Sequence, residues 1–196
     1  MSVSRKHLQQ LPFSDRASDA PAGGFRDVLK FQLGAAQASV ANASTSTVDW
    51  ANGAASTVAG YTVYNYFASS DVSISDAGVL TLTKPGLYLV KASLAVTVPN
   101  PANSDGEMVS VQLLQTQPKA AVAGVSMLEQ TVLARSSQFV PNNAAETHYF
   151  TVSANVQTNS TGTPTTVAVQ VTGVRATNKT VAVAGSILEV TRLMGV

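Results

Sequence analysis

Residues 88–98 read Tyr88-Leu89-Val90-Lys91-Ala92-Ser93-Leu94-Ala95-Val96-Thr97-Val98. On an extended backbone, successive side chains point to opposite faces. Tyr88, Val90, Ala92, Leu94, Val96 and Val98 then share one face, and Leu89, Lys91, Ser93, Ala95 and Thr97 the other. A helix would scatter both sets around its axis. Period two over so long a run predicts a strand with one face in a core.

The same period recurs on either side. Downstream, Pro99 to Gly106 breaks the strand, and Val109, Val111 and Leu113 resume the alternation. Phe150, Val152, Ala154 and Val156 alternate with Thr151, Ser153, Asn155 and Gln157; the chain turns over Asn159–Pro164, and Val167, Val169 and Val171 repeat the pattern. Upstream, Tyr61–Phe67, Val72–Ser75 and Val79–Thr83 are bounded by Gly, Asp or Ser, with Asp76-Ala77-Gly78 as a tight turn. Phe25–Gly34 offers a first strand and Ala184–Leu193 a last one, inside the sheet. Ala35–Thr47 has alanine but no apolar stripe, which favours loop or irregular edge over helix. Short strands and frequent turns without a helical period predict a sandwich or barrel rather than a βαβ fold.

Composition points the same way. The 196 residues suffice for one domain with a real core. Charged residues make up 12 %, about half the usual share, while Val, Thr, Ser and Ala abound. A surface of that kind suits a body packed against neighbours, where charge would have to be desolvated. No cysteine is present, which excludes disulfides, thiolate metal sites and cysteine nucleophiles. No apolar run of spanning length occurs, and the first residues lack the apolar core of a secretory signal, so no membrane partner is expected.

Residues 1–24 mix polar residues with Pro12, Pro21 and Gly23-Gly24 and carry isolated large apolar residues, Leu8, Leu11 and Phe13, with Phe25 just beyond. Such a stretch cannot make its own core. It reads either as a disordered tail or as an arm whose apolar residues seat on another surface. Up to residue 40, five basic residues (Arg5, Lys6, Arg16, Arg26, Lys30) face three acidic ones (Asp15, Asp19, Asp27), about +2; the remaining seven basic and eight acidic residues leave −1. Neither part has the clustered cations that a phosphate backbone requires, so no nucleic-acid partner is expected.

Two segments resemble the jelly-roll superfamily of C1q and tumour necrosis factor. Gly78-Val-Leu-Thr-Leu-Thr-Lys-Pro-Gly-Leu-Tyr-Leu-Val90 is similar to its hairpin ending in a Pro-Gly-x-Tyr strand, and Gly185-Ser-Ile-Leu-Glu-Val-Thr-Arg-Leu193 to its final strand. Pro85-Gly86 would make the corner, with the Tyr88 ring in the core and its hydroxyl bonded. The resemblance implies a homotrimer of jelly rolls, a form that recurs in viral head-decoration, spike and fibre proteins. The chain departs from the cytokine and complement members in having no stalk and no family cysteine.

A search for chemistry yields little. His7 and His148 lie far apart with no ligand set between them, and no serine sits in a Gly-x-Ser-x-Gly elbow. His148, beside Glu146 and Tyr149, reads as a surface or interface residue. Asp71, Asp76, Asp105 and Glu107 lie near turns but in no calcium-loop spacing, so they read as turn residues. Asn42, Asn159 and Asn178 fit the glycosylation sequon by chance in an Asn- and Thr-rich chain. Trp50 is assigned to core or trimer packing, as is Tyr88.

The expectation is therefore an all-β jelly-roll β-sandwich over 41–196 behind an extended N-terminal arm and linker over 1–40. No catalytic, cofactor or metal site is expected, and no enzyme activity. The expected role is a virion structural protein on the capsid surface, a decoration or cement protein. Its partners would be itself, as a homotrimer, and the major capsid protein, gripped through Leu8, Leu11, Phe13 and Phe25. The alternatives are the main coat of a small icosahedral virus, and the receptor- or glycan-binding head of a spike or fibre, for which Tyr61, Tyr64, Tyr66 and Phe67 would be the aromatic platform.

Overall fold

A computed structural model of the chain describes residues 27–33, 35–41, 43–50, 59–64, 71–99, 106–122, 125–141, 145–158, 164–175, 179–182 and 184–195. Among these residues every regular element is a strand. They are β1 (Asp27–Gln32), β2 (Gln37–Val40), β3 (Thr45–Thr47), β4 (Ala59–Tyr64), β5 (Val72–Ile74), β6 (Leu80–Leu82), β7 (Gly86–Val98), β8 (Glu107–Val122), β9 (Val125–Val140), β10 (Glu146–Thr158), β11 (Thr165–Gly173), β12 (Lys179–Val181) and β13 (Ile187–Gly195).

The strands form two antiparallel sheets. β7 is the spine of the first. One of its edges pairs along its whole length with β10, from Gly86↔Thr158 to Val98↔Glu146. Its other edge is divided, β13 taking Gly86–Ser93 and β12 taking Val96 and Thr97. β13 continues to β1 and β4, and β12 to β2. The final strand thus sits inside its sheet, as its apolar sequence predicted. The second sheet runs β5-β6-β11-β8-β9, with β3 on the same edge of β11 as β6. Sheet one draws β1 and β2 from the stretch that the sequence assigned to arm and linker, because Phe31, Leu33 and Val40 have core positions to fill.

Burial follows the alternation. Along β7, Tyr88, Val90, Ala92, Leu94, Val96 and Val98 are fully buried, and they meet Val109, Val111 and Leu113 of β8, Phe150, Val152 and Val156 of β10, and Val167, Val169 and Val171 of β11 in one core. Side chains close the corner before β7. Tyr88 Oη and Thr158 Oγ1 both donate to the Lys84 carbonyl, at 2.9 and 2.8 Å, and Arg192 Nη2 donates to the Pro85 carbonyl at 3.1 Å. The tight turn at 76–78 ends on Gly78, whose φ of +74° and closeness to the Val48 carbonyl leave no room for a side chain.

Candidate functional site

Two arrangements stand apart from the ordinary packing of the sandwich. The first is the side where β9 and β10 lie. Each is the terminal strand of its sheet and pairs with a single neighbour among the described residues, β9 with β8 and β10 with β7. They are 16 and 13 residues long. Side chains, not a main-chain ladder, tie them together. Gln138 Nε2 donates to the Tyr149 carbonyl at 2.8 Å, and its Oε1 lies 3.2 Å from His148 Nδ1, whose Nε2 is 3.4 Å from Glu146 Oε2.

This side is polar with isolated apolar residues. Phe139 is 58 % exposed and Tyr149 69 %. The Phe139 ring covers Gly106, and the Tyr149 ring lies over Gly185 and Ala95; in each case the glycine makes room for it. On the outer face of sheet two, Met108 stands opposite Phe139. Next to them runs a polar row in which Arg135 Nε donates to Gln112 Oε1 at 3.1 Å and Gln112 Nε2 donates to Gln170 Oε1 at 2.9 Å.

The second arrangement is a buried ion pair. Lys179 Nζ is 3.1 Å from Glu107 Oε1, and neither side chain has any exposure. The ammonium also donates to the Ala41 carbonyl at 3.1 Å. Ala41 has a φ of 52°, a left-handed conformation that costs a non-glycine residue energy and that aims its carbonyl at the lysine. Gly173 completes the enclosure, since a Cβ there would lie 2.7 Å from both the Ala41 oxygen and Lys179 Nζ. The pair bolts β12 of sheet one to the first residue of β8 in sheet two.

The residues singled out in the sequence distribute as follows. Trp50 and Tyr88 are both fully buried in the core; the Trp50 Nε1 has no hydrogen-bond acceptor among the described residues, and the Arg192 guanidinium stands 6.0 Å from the Tyr88 ring centre. Leu8, Leu11, Phe13, Phe25 and His7 lie outside the described residues, as do Tyr66, Phe67, Asp105 and the three sequon asparagines. Asp71 faces Lys84 at 3.5 Å, and Asp76 is exposed in its turn. Glu107 departs from its reading as a turn residue: it lies inside the core. Its parity with Val109, Val111 and Leu113 was the available signal, since in β8 all four point inward. Among the described residues no group of three or more His, Asp or Glu side chains is gathered for a metal, and no helix is long and apolar enough to cross a membrane.

No family model matches the chain, and no curated protein matches it in sequence. Solved structures do. The chain is similar to Eiger TNF from S. frugiperda, with a TM-score of 0.51 and 11 % identity over 88 % of this chain and 94 % of that one. It is also similar to murine APRIL at pH 8.0, with a TM-score of 0.50 and 11 % identity over 86 % and 100 % of the two chains. At that identity the likeness concerns the fold. The fold is an all-β jelly roll of the tumour necrosis factor and C1q type.

Proposed function

We propose that this protein is a non-enzymatic structural protein that acts as a homotrimer and is placed on a virion surface, as a decoration or cement protein bound to the major capsid protein. The observation that carries the assembly reading is the β9–β10 side. Two long terminal strands lie together there, with Phe139 and Tyr149 exposed among polar residues. Monomeric β-proteins shield long edges with charge, proline or short strands, because an open edge invites another chain. Here the side is long and its few charges, Glu129, Arg135 and Glu146, are spread over 29 strand residues (16 + 13), which suits a contact between copies. A buried aromatic at the centre of such a contact commonly contributes 2 kcal/mol or more, on the order measured for interface hot spots.

The virion placement is supported by the surface chemistry, poor in charge and rich in Ser, Thr, Asn and Gln, and by an N-terminal stretch with separated apolar anchors for a neighbour's grooves. A protein of this kind stabilises a shell by mass action, since it binds the assembled lattice and not the free subunits. Three arms per trimer add avidity.

The test is sedimentation of the purified protein, alone and with emptied shells. The expected species is a trimer that co-pellets with shells, and Phe139→Asp combined with Tyr149→Asp turns it into a monomer that still unfolds cooperatively, at a midpoint that no longer depends on protein concentration. A wild-type monomer at tens of micromolar would reject the assembly reading; a trimer that ignores shells would reject the placement alone.

A further inference from the structure

The β8–β9 hairpin outruns the sandwich. β11 covers β8 only from Val109 to Thr116, so beyond Thr116 the two strands continue as a ribbon with no third strand among the described residues. A two-stranded ribbon is marginal in water unless something covers a face of it. The outer face of the hairpin carries two directly opposed apolar pairs, Leu114↔Val132 at the end of the stretch that β11 covers and Pro118↔Leu128 on the ribbon itself, separated by Thr116↔Gln130. Val132 is 46 % exposed and Leu128 69 %, while Leu114 and Pro118 are half-buried. This strip is nearly neutral and belongs to the face of the sheet, not to the β9–β10 edge.

The chain has a segment of matching chemistry, and it enters at the same end of the molecule. Asp27 pairs with Arg192, Arg192 with Tyr88 and Tyr88 with Val156, close to where β10 ends at Thr158 and β11 begins at Thr165. Thr166 in turn pairs with Thr116, where the ribbon leaves the sandwich. The residues before Asp27 therefore start from the end at which the ribbon projects. Crossing from β1 to β10 takes three strand spacings, about 14 Å, and passing to β9 in the other sheet about 10 Å more. The 27 − 13 = 14 residue steps from Phe13 to Asp27 span roughly 45 Å when extended. Phe13, and Leu11 and Leu8 beyond it, can therefore reach the strip, whereas Phe25, two residues before Asp27, cannot.

We propose that residues 8–13 of the chain's own N-terminal arm seat on the outer face of the β8–β9 ribbon, covering Val132 and Leu128. The seat belongs to the free protein and stands whether or not a shell partner exists.

The absence of cysteine makes the test direct. Ser14→Cys with Gln130→Cys places the only two thiols of the chain beside the arm anchors and the strip, without touching either. Mild oxidation should close an intramolecular disulfide, read as a faster-migrating monomer on a denaturing gel, whereas Ser14→Cys with Ser153→Cys, on the outer face of the other sheet, should stay open. Only intermolecular bonds, or equal closure of both pairs, would overturn the proposal. As a second readout, removing residues 1–24 should speed hydrogen exchange of the ribbon amides at 117, 119 and 127–130 by about tenfold, with β7 amides unchanged and reporting an intact fold. Ribbon exchange indifferent to the arm would overturn it equally.

Discussion

β7 and β9 are both long strands, yet they meet opposite fates. β7 has neighbours on both edges and buries every second side chain completely. Among the described residues β9 has β8 alone and, of its described side chains, buries only Val140. The exposed apolar residues of β9, Met127, Leu128, Val132 and Phe139, are as large as the buried ones of β7. What differs is position. A strand with sheet on both sides and a second sheet above it has nowhere to put its apolar face but the core, whereas a terminal strand in a hairpin that extends past the rest of its sheet leaves part of its surface for something outside the domain. Stability is concentrated in the first strand, and the capacity for contact in the second.

The largest expected effect contrasts the two strands. Leu94→Asp places a carboxylate in the fully buried core of β7, at a cost on the order of 5 kcal/mol or more, comparable with the whole stability of a domain. Soluble expression should be lost. Phe139→Asp in β9 should leave a soluble domain whose unfolding free energy, compared at dilutions where both proteins are monomeric, changes by less than about 1 kcal/mol, the usual scale for a surface position. Similar losses in both variants, followed by denaturant unfolding, would break the division between the strands.

A smaller effect concerns the bolt between the sheets. Lys179→Met leaves the Glu107 carboxylate buried without its counter-ion and should cost about 3–5 kcal/mol. The double variant Lys179→Met with Glu107→Leu should recover most of that loss, since an apolar pair of similar volume avoids desolvating two charges. If the double variant is as unstable as the single one, the pair is more than a replaceable clamp.

The smallest effect is on the outer face of β7. Lys30 Nζ lies 2.6 Å from Glu189 Oε1, and Lys91 Nζ 3.6 Å from Glu189 Oε2, in one row across β1, β13 and β7. The Lys30 hydrogen bond, against some desolvation and with the charges of Lys30 and Lys91, holds the Glu189 carboxyl below its ordinary range. A carboxylate lowered on folding contributes stability that is present above its unfolded pKa of about 4.3 and lost as pH falls through the folded value. The row is partly exposed on the outer face of the sheet, where solvent screens it, so the contribution should stay within roughly 1 kcal/mol. Melting of wild type and Glu189→Gln should differ at pH 7 and converge at acid pH; a constant gap would show that the row contributes nothing electrostatic.

Much of this architecture was legible in the sequence. The alternations at 88–98, 109–113, 150–157 and 167–171 became β7, β8, β10 and β11, because burial of one face is written into every second residue. The turn at 76–78 and the corner at Pro85-Gly86 were legible too, since glycine and proline act within a few residues. No expectation covered β9, where alternation slips: a bulge opposite Leu113 and Leu114 inserts Leu133, and polar residues take both faces. β12 is three residues long, too short for any period to show.

The sequence by itself determined the all-β class, the strands that build the core and their inward faces, because side-chain alternation and turn chemistry are local properties of the chain. Only the tertiary structure decided which strands became edges, and that Glu107 and Lys179, 179 − 107 = 72 residues apart, share one dry enclosure with the Ala41 carbonyl and Gly173. Partner count and ion pairing depend on how the two sheets close over one another. No stretch of sequence records that closure, since the energy of a buried charge is set by what the rest of the chain brings to it.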